Sequence, residues 1–159
     1  AHRRTLVLPI SRAQILERRF IREAIELAVV ARLTGNVSSH PRKILEKQLS
    51  LQRAAAEAGD AAAFSALDEN FHEMLCHAGG VGFAWRTLAS VRMHSIRVCK
   101  LSKEDVPKMN NVVDQHAQIV EAVASGDLTL AQSEMRKHLA AFPAKLELAI
   151  RDNAGFFTA

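Results

Sequence analysis

From Ser11 onward the apolar residues recur at intervals of three and four, and no stretch alternates apolar with polar residues as a strand would. That spacing is the 3.6-residue period of a helix with one side turned inward, so the chain reads as helical from end to end. The punctuation agrees. Ser11-Arg-Ala-Gln14 has the form of a capping box, Gly35-Asn36 ends the first helix, and Pro41 suits the first turn of a second that stops at Gly59. Asp60 caps a third helix, which closes at Gly79-Gly80, and a fourth spans Phe83 to Leu101. After a loop around Pro107 a fifth runs from about Asn111 to Ala124, and Ser125-Gly126-Asp127 stops it and caps the last, in which Pro143 predicts a kink. About six helices with short connections and no repeat predict an all-α antiparallel bundle.

The expected apolar stripes are Leu16, Phe20, Leu27 and Val30 in the first helix and Ile44, Leu45, Leu49, Leu51 and Ala55 in the second. In the third they are Phe64, Leu67, Phe71 and Leu75, and in the fourth Trp85, Leu88, Val91, Ile96 and Val98. With 159 residues, 48% of them apolar and 24% charged, one globular domain is expected. No apolar run approaches a membrane span and no secretory signal stands at the N-terminus, which predicts a cytoplasmic protein. The net charge of +4 admits nucleic acid as a partner, yet apart from His2-Arg3-Arg4 the cations are scattered among glutamates, without interleaved aromatics. Direct DNA binding by these residues is therefore not expected. Cys76 and Cys99 lack metal-ligand spacing and read as buried free thiols.

Several polar residues fall on inward faces. Asp68 and His72 lie one helical turn apart beside the Phe71 and Leu75 row, where two ligands can grip one ion. His116 is flanked by Val112, Val113, Ile119 and Val120, and His138 by Met135 and Phe142, so both turn inward. Each histidine taken singly reads as a hydrogen-bonded core residue; together with Asp68 they form a coherent ligand set for a divalent transition ion. His77 projects about 140 degrees from His72 and cannot join them. His2 and His40 fall in terminal or loop segments, and His94 has no assigned side. Arg92 and Arg19 lie near inner faces where a guanidinium would grip a carboxylate, the alternative being structural ion pairs such as Arg19 with Glu23.

The runs Asp68-x-x-Phe71-His72, His116-x-x-Ile119-Val120-x-Ala122-Val123-x-x-Gly126-Asp127 and Ala131-x-x-x-Met135-x-x-His138-Leu139 together resemble the FCD effector-binding domain of GntR-family bacterial transcription regulators. Ala58-Gly59-Asp60 and Glu17-x-Arg19-x-x-x-Glu23 fit the same pattern, over residues 11 to 142. The resemblance implies a helical bundle with a central cavity, a metal held by Asp68, His72, His116 and His138, and a small carboxylate-bearing metabolite over the metal. It implies Arg19 and Arg92 as effector-binding residues, a homodimer, and DNA contact only through an N-terminal winged-helix module outside this chain. Residues 1–10 would then be a linker remnant and 11–159 the effector-binding domain. Zinc leads among the candidate metals, with nickel and manganese compatible. A metal-dependent enzyme is the alternative, as an open metal position can activate water, but no Glu-x-x-His pair, His-Glu-x-x-His motif or obvious general base supports it. A metal-free helical dimerisation module is the third reading.

Overall fold

The computed structural model describes residues 8–34, 39–101 and 106–158. The expected helix stop at Gly35-Asn36, His2 and the basic cluster beside it, the side chain of His40, and most of the linker segment lie outside the described residues. Among those described, the chain forms α1 (Arg12–Leu33), α2 (Ser39–Glu57), α3 (Ala61–Ala78), α4 (Ala84–Leu101), α5 (Val106–Ser125), α6 (Leu128–Ala140) and α7 (Phe142–Asp152). A two-residue strand β1 (Ile10–Ser11) pairs in parallel with β2 (Phe157–Thr158) and ties the start of α1 to the segment after α7.

The helix boundaries follow local chemistry. Ser11, Asp60 and Asp127 each accept a hydrogen bond from the backbone N–H three residues on, at Gln14, Ala63 and Leu130, satisfying donors that the first turn leaves open. Gly59 and Gly126 precede two of these caps with φ of 68° and 77°, a left-handed conformation that lets one helix end and the next begin after three and two residues respectively. α5 starts five residues before the expected Asn111, because Pro107 occupies its first turn, where the missing N–H costs nothing. The kink expected at Pro143 is a complete break: α6 ends at Ala140 and Pro143 sits in the first turn of the separate α7.

α5 packs between α2 and α6, α1 lies against α6 and α4, and α2 against α3. The main core joins Val29, Val30 and Leu33 of α1 to Phe71 and Leu75 of α3, Leu88 of α4, Ile119 and Val123 of α5 and Met135 of α6. A second core gathers Ile10, Ile15, Val98, Phe142, Leu146 and Ala149 under the β1–β2 pair, and a third joins Ala55, Ala56, Phe64, Met109 and Val113.

Two expected stripes hold in part: Leu27 and Val30 of α1 and Leu45, Leu49 and Ala55 of α2 pack inward, but the others do not. In α1, Leu16 and Phe20 face outward, Phe20 at 75% exposure, while Ile15, Glu26, Val29, Val30 and Leu33 are buried. In α2, Ile44 and Leu51 are exposed, and the inner row is Leu45, Gln48, Gln52, Ala55 and Ala56. Both helices therefore turn polar residues inward at helical spacing, which is tolerated only where those residues find partners.

Candidate metal centre

Asp68 and His72 on α3, His116 on α5 and His138 on α6 come together inside the bundle, each offering a ligand atom within 4.8 Å of the others. The ring centroids of His116 and His138 are 4.6 Å apart, and that of His72 lies 5.4 and 5.3 Å from them. Phe71 stacks on His116 at 4.0 Å with 15° between the planes, so the buried aromatic row of α3 holds the imidazole of α5 in place. His77 is exposed, on the far side of α3. His94 is half-buried on α4, beside Arg18 and Arg97.

Each imidazole has its Nδ1 turned to a side-chain oxygen away from the centre. His116 Nδ1 is 2.8 Å from Gln52 Oε1, His138 Nδ1 is 3.0 Å from Gln115 Oε1, and His72 Nδ1 is 2.6 Å from Glu26 Oε2. The last contact is short but lacks the alignment of a hydrogen bond. With Nδ1 as the protonated nitrogen, each ring offers an unprotonated Nε2. His116 Nε2 is buried with no hydrogen-bond partner and lies 3.5 Å from Asp68 Oδ1. The Nε2 of His72 lies 3.4 Å from Arg22 Nη2.

The charges around the four residues are closely balanced. Arg92, buried on α4, places Nη2 2.6 Å from Asp68 Oδ2 and 2.6 Å from Glu69 Oε1, with Nη1 3.6 Å from Glu26 Oε1. Arg22 donates from Nε to Glu26 Oε1 at 2.7 Å. Burial opposes ionisation of Asp68, but Arg92 and the surrounding imidazoles outweigh it and hold the carboxyl far below the usual range. Glu26 is lowered in the same way, with burial overcome by Arg22, His72 and Arg92. Burial is also the largest influence on the three imidazoles and here acts toward the neutral form. His116 is pushed down to about 3 despite Asp68, while burial and then Arg92 lower His72, and burial and then His116 lower His138. At neutral pH the centre thus holds one ionised carboxylate and three neutral imidazoles, the protonation states that a metal ion requires of its ligands.

This donor set fits a divalent transition ion. Three nitrogens and one oxygen suit zinc, nickel or manganese, and the orphaned Nε2 of His116 is a buried polar atom lacking the partner that burial demands. Donors of a tetrahedral site stand about 3.4 Å apart at bonds of 2.0–2.2 Å, so small side-chain rotations would close the quartet.

Beside the quartet lies a cavity of about 170 Å³. Asp68, His138, Arg22 and Arg92 line its polar end, and Phe64, Ile96, Val112 and Phe142 its apolar walls. Of the two arginines expected there, Arg92 lines the cavity and Arg19 does not: Arg19 pairs with Glu23 at 3.9 Å. Arg22, three residues on, lines the cavity instead. Sequence reasoning passed over Arg22, Glu26, Gln52 and Gln115. The signal for Glu26 was its register with Val29, Val30 and Leu33, and for Gln52 its register with Leu45, Gln48 and Ala55, since a polar residue inside an apolar row needs a buried partner. Gln115 carries no such signal beyond its place next to His116.

The FCD domain family matches residues 17–141. The chain is 33% identical over 129 residues to an uncharacterised HTH-type transcriptional regulator in an unstable DNA locus of Streptomyces ambofaciens, covering 81% of this chain and 54% of that protein. It is 30% identical over 156 residues to the HTH-type transcriptional repressor RspR of Escherichia coli K12, covering 98% of this chain and 68% of the repressor. The fold is shared with E. coli McbR/YncC at a TM-score of 0.78 and 17% identity, over 87% of this chain and 66% of that one. The chain thus spans between half and about two thirds of the length of these proteins.

Proposed function

The chain belongs to the FCD domain family, and from that premise we propose that it is the effector-sensing part of a transcription regulator, with a divalent metal held by Asp68, His72, His116 and His138. The observation that carries the reading is the convergence of one carboxylate and three imidazoles inside the bundle beside a cavity. When bound, the ion would supply a positive centre with coordination positions left over for an anion.

Asp68 would give Oδ1 to the ion while Oδ2 stays on Arg92. Arg22 and Arg92 line the cavity next to the quartet, which favours a small carboxylate-bearing metabolite: a guanidinium offers paired donors to a carboxylate, and the walls of Phe64, Ile96 and Phe142 exclude water around it. Phe142 also belongs to the second core, which reaches Ile10 and the β1–β2 pair. A ligand pressing on Phe142 and Ile96 would bias that packing at the edge nearest the N-terminus. Coupling follows only as far as the ligand prefers one arrangement.

In the whole protein we propose that DNA contact lies in an N-terminal helix-turn-helix module, joined through residues 1–10 to the sensing domain at 11–159; the relatives are named as HTH-type regulators. A homodimer suits paired operator half-sites. The relatives' description as regulators favours sensing over turnover, and the absence of a membrane-spanning helix among the described residues fits a protein that works on DNA in the cytoplasm.

The test is metal analysis of the purified protein with calorimetry against a library of small acids. One metal per chain is expected, with acid binding that disappears in His72→Ala and His138→Ala. Purified protein without metal, together with acid binding unchanged in both variants, would refute the reading.

A further inference from the structure

The amide of Gln52 is fixed in orientation by two partners of opposite kind. Its Nε2 donates to the Leu67 carbonyl at 3.3 Å, and a carbonyl can only accept, so Oε1 is the atom 2.8 Å from His116 Nδ1. Nδ1 must then carry the proton and Nε2 must be bare. That Nε2 is the buried atom without a partner, pointing to Asp68. Gln48 holds the same Leu67 carbonyl at 2.8 Å, so the anchor of this relay is the peptide immediately before Asp68. Gln115 Oε1 faces His138 Nδ1 at 3.0 Å in the same manner, whereas Glu26 Oε2 approaches His72 Nδ1 without hydrogen-bond alignment.

We infer that Gln52 is a positioning residue of the candidate metal centre, setting the tautomer and ring orientation of His116 so that Nε2 faces Asp68, and that Gln115 does the same for His138. The inference rests on the metal reading above. Two of the three outer partners are amides, not carboxylates, so they orient the rings without adding negative charge behind them, and Glu26 already shares its charge with Arg22 and Arg92. The four ligand residues then bring a single formal charge, that of Asp68, which leaves an ion able to attract an anion.

The experiment titrates the metal-free chain with Zn²⁺ against a chromophoric chelator and records long-range ¹H–¹⁵N correlations of the histidine rings, for the natural protein, Gln52→Met, Gln115→Leu and Gln115→Glu. The natural protein is expected to show His116 and His138 as Nδ1–H tautomers. Gln52→Met and Gln115→Leu should weaken Zn²⁺ binding 10- to 100-fold and populate Nε2–H at the ring concerned. Gln115→Glu, which keeps an acceptor, should bind within threefold of the natural protein or more tightly.

If the natural protein binds Zn²⁺ and both deletion variants bind it within twofold, the positioning role falls and the metal reading stands. A natural protein that takes up no Zn²⁺ removes the metal reading and this inference with it. Should a variant fail to fold, the natural protein's spectrum still decides, because His116 as the Nε2–H tautomer overturns the inference by itself.

Discussion

Acidification of the metal-free protein should destabilise it steeply between pH 7 and pH 5. His72, His116 and His138 are buried and lowered from the ordinary value of 6.5, His116 to about 3. In that window the unfolded chain takes up protons that the folded chain refuses, so stability is complete above about pH 6.5 and is lost as the pH falls. For a group neutral in the fold and of ordinary pKa when unfolded, the loss is about 0.8 kcal/mol at pH 6 and about 2 kcal/mol at pH 5. Two such groups, His116 and His138, give up to about 4 kcal/mol at pH 5, and His72 adds in the same direction, against a total stability of roughly 5–15 kcal/mol for a domain. Asp68 and Glu26 act in the same direction but only at lower pH, because carboxyls in the unfolded chain protonate near 4. The range from 7 to 5 therefore isolates the imidazoles. His94, lowered by burial with Arg18 and Arg97, contributes in the same sense and is removed by a His94→Gln background. The assay is urea unfolding followed by circular dichroism at pH 7, 6 and 5 in the presence of chelator. Replacing His138 by Leu should reduce the loss at pH 5 by up to about 2 kcal/mol. A free energy of unfolding that stays within 1 kcal/mol from pH 7 to pH 5 would show that the imidazoles titrate freely and are not held neutral in the fold.

Other perturbations separate packing, charge and backbone. Phe71→Ala removes a fully buried ring stacked on His116 and should cost about 3–5 kcal/mol in urea unfolding while weakening Zn²⁺ binding in the chelator titration. Arg92→Met leaves Asp68, Glu69 and Glu26 without their shared cation and should cost about 3 kcal/mol at pH 7, with a loss below 1 kcal/mol counting against the network. Gly126→Ala forces a side chain into a left-handed turn and should lower stability by about 1 kcal/mol, whereas Gly155→Ala, with open space around it, should be close to neutral in the same thermal melts.

Helix content, the caps at Ser11, Asp60 and Asp127, the stops at Gly59 and Gly126, and the inward turn of His72, His116 and His138 were all legible in the sequence. These depend on periods and on contacts within a few residues, which a linear pattern records. The outward turn of Leu16 and Phe20 in α1 and of Ile44 and Leu51 in α2 was not. Leu16 and Phe20 look like core residues until the fold places Glu26 and Gln52 inside, where Arg22, Arg92 and His72 around the glutamate, and the Leu67 carbonyl and His116 around the glutamine, make their burial tolerable. The same holds for the exchange of Arg19 for Arg22 at the cavity, a turn of one helix that no spacing rule decides when both sides carry arginine. Local chemistry set where each helix begins and ends. Which face each one buries, and so which nitrogen of each ring faces the centre, was decided by residues up to 64 positions apart meeting in three dimensions.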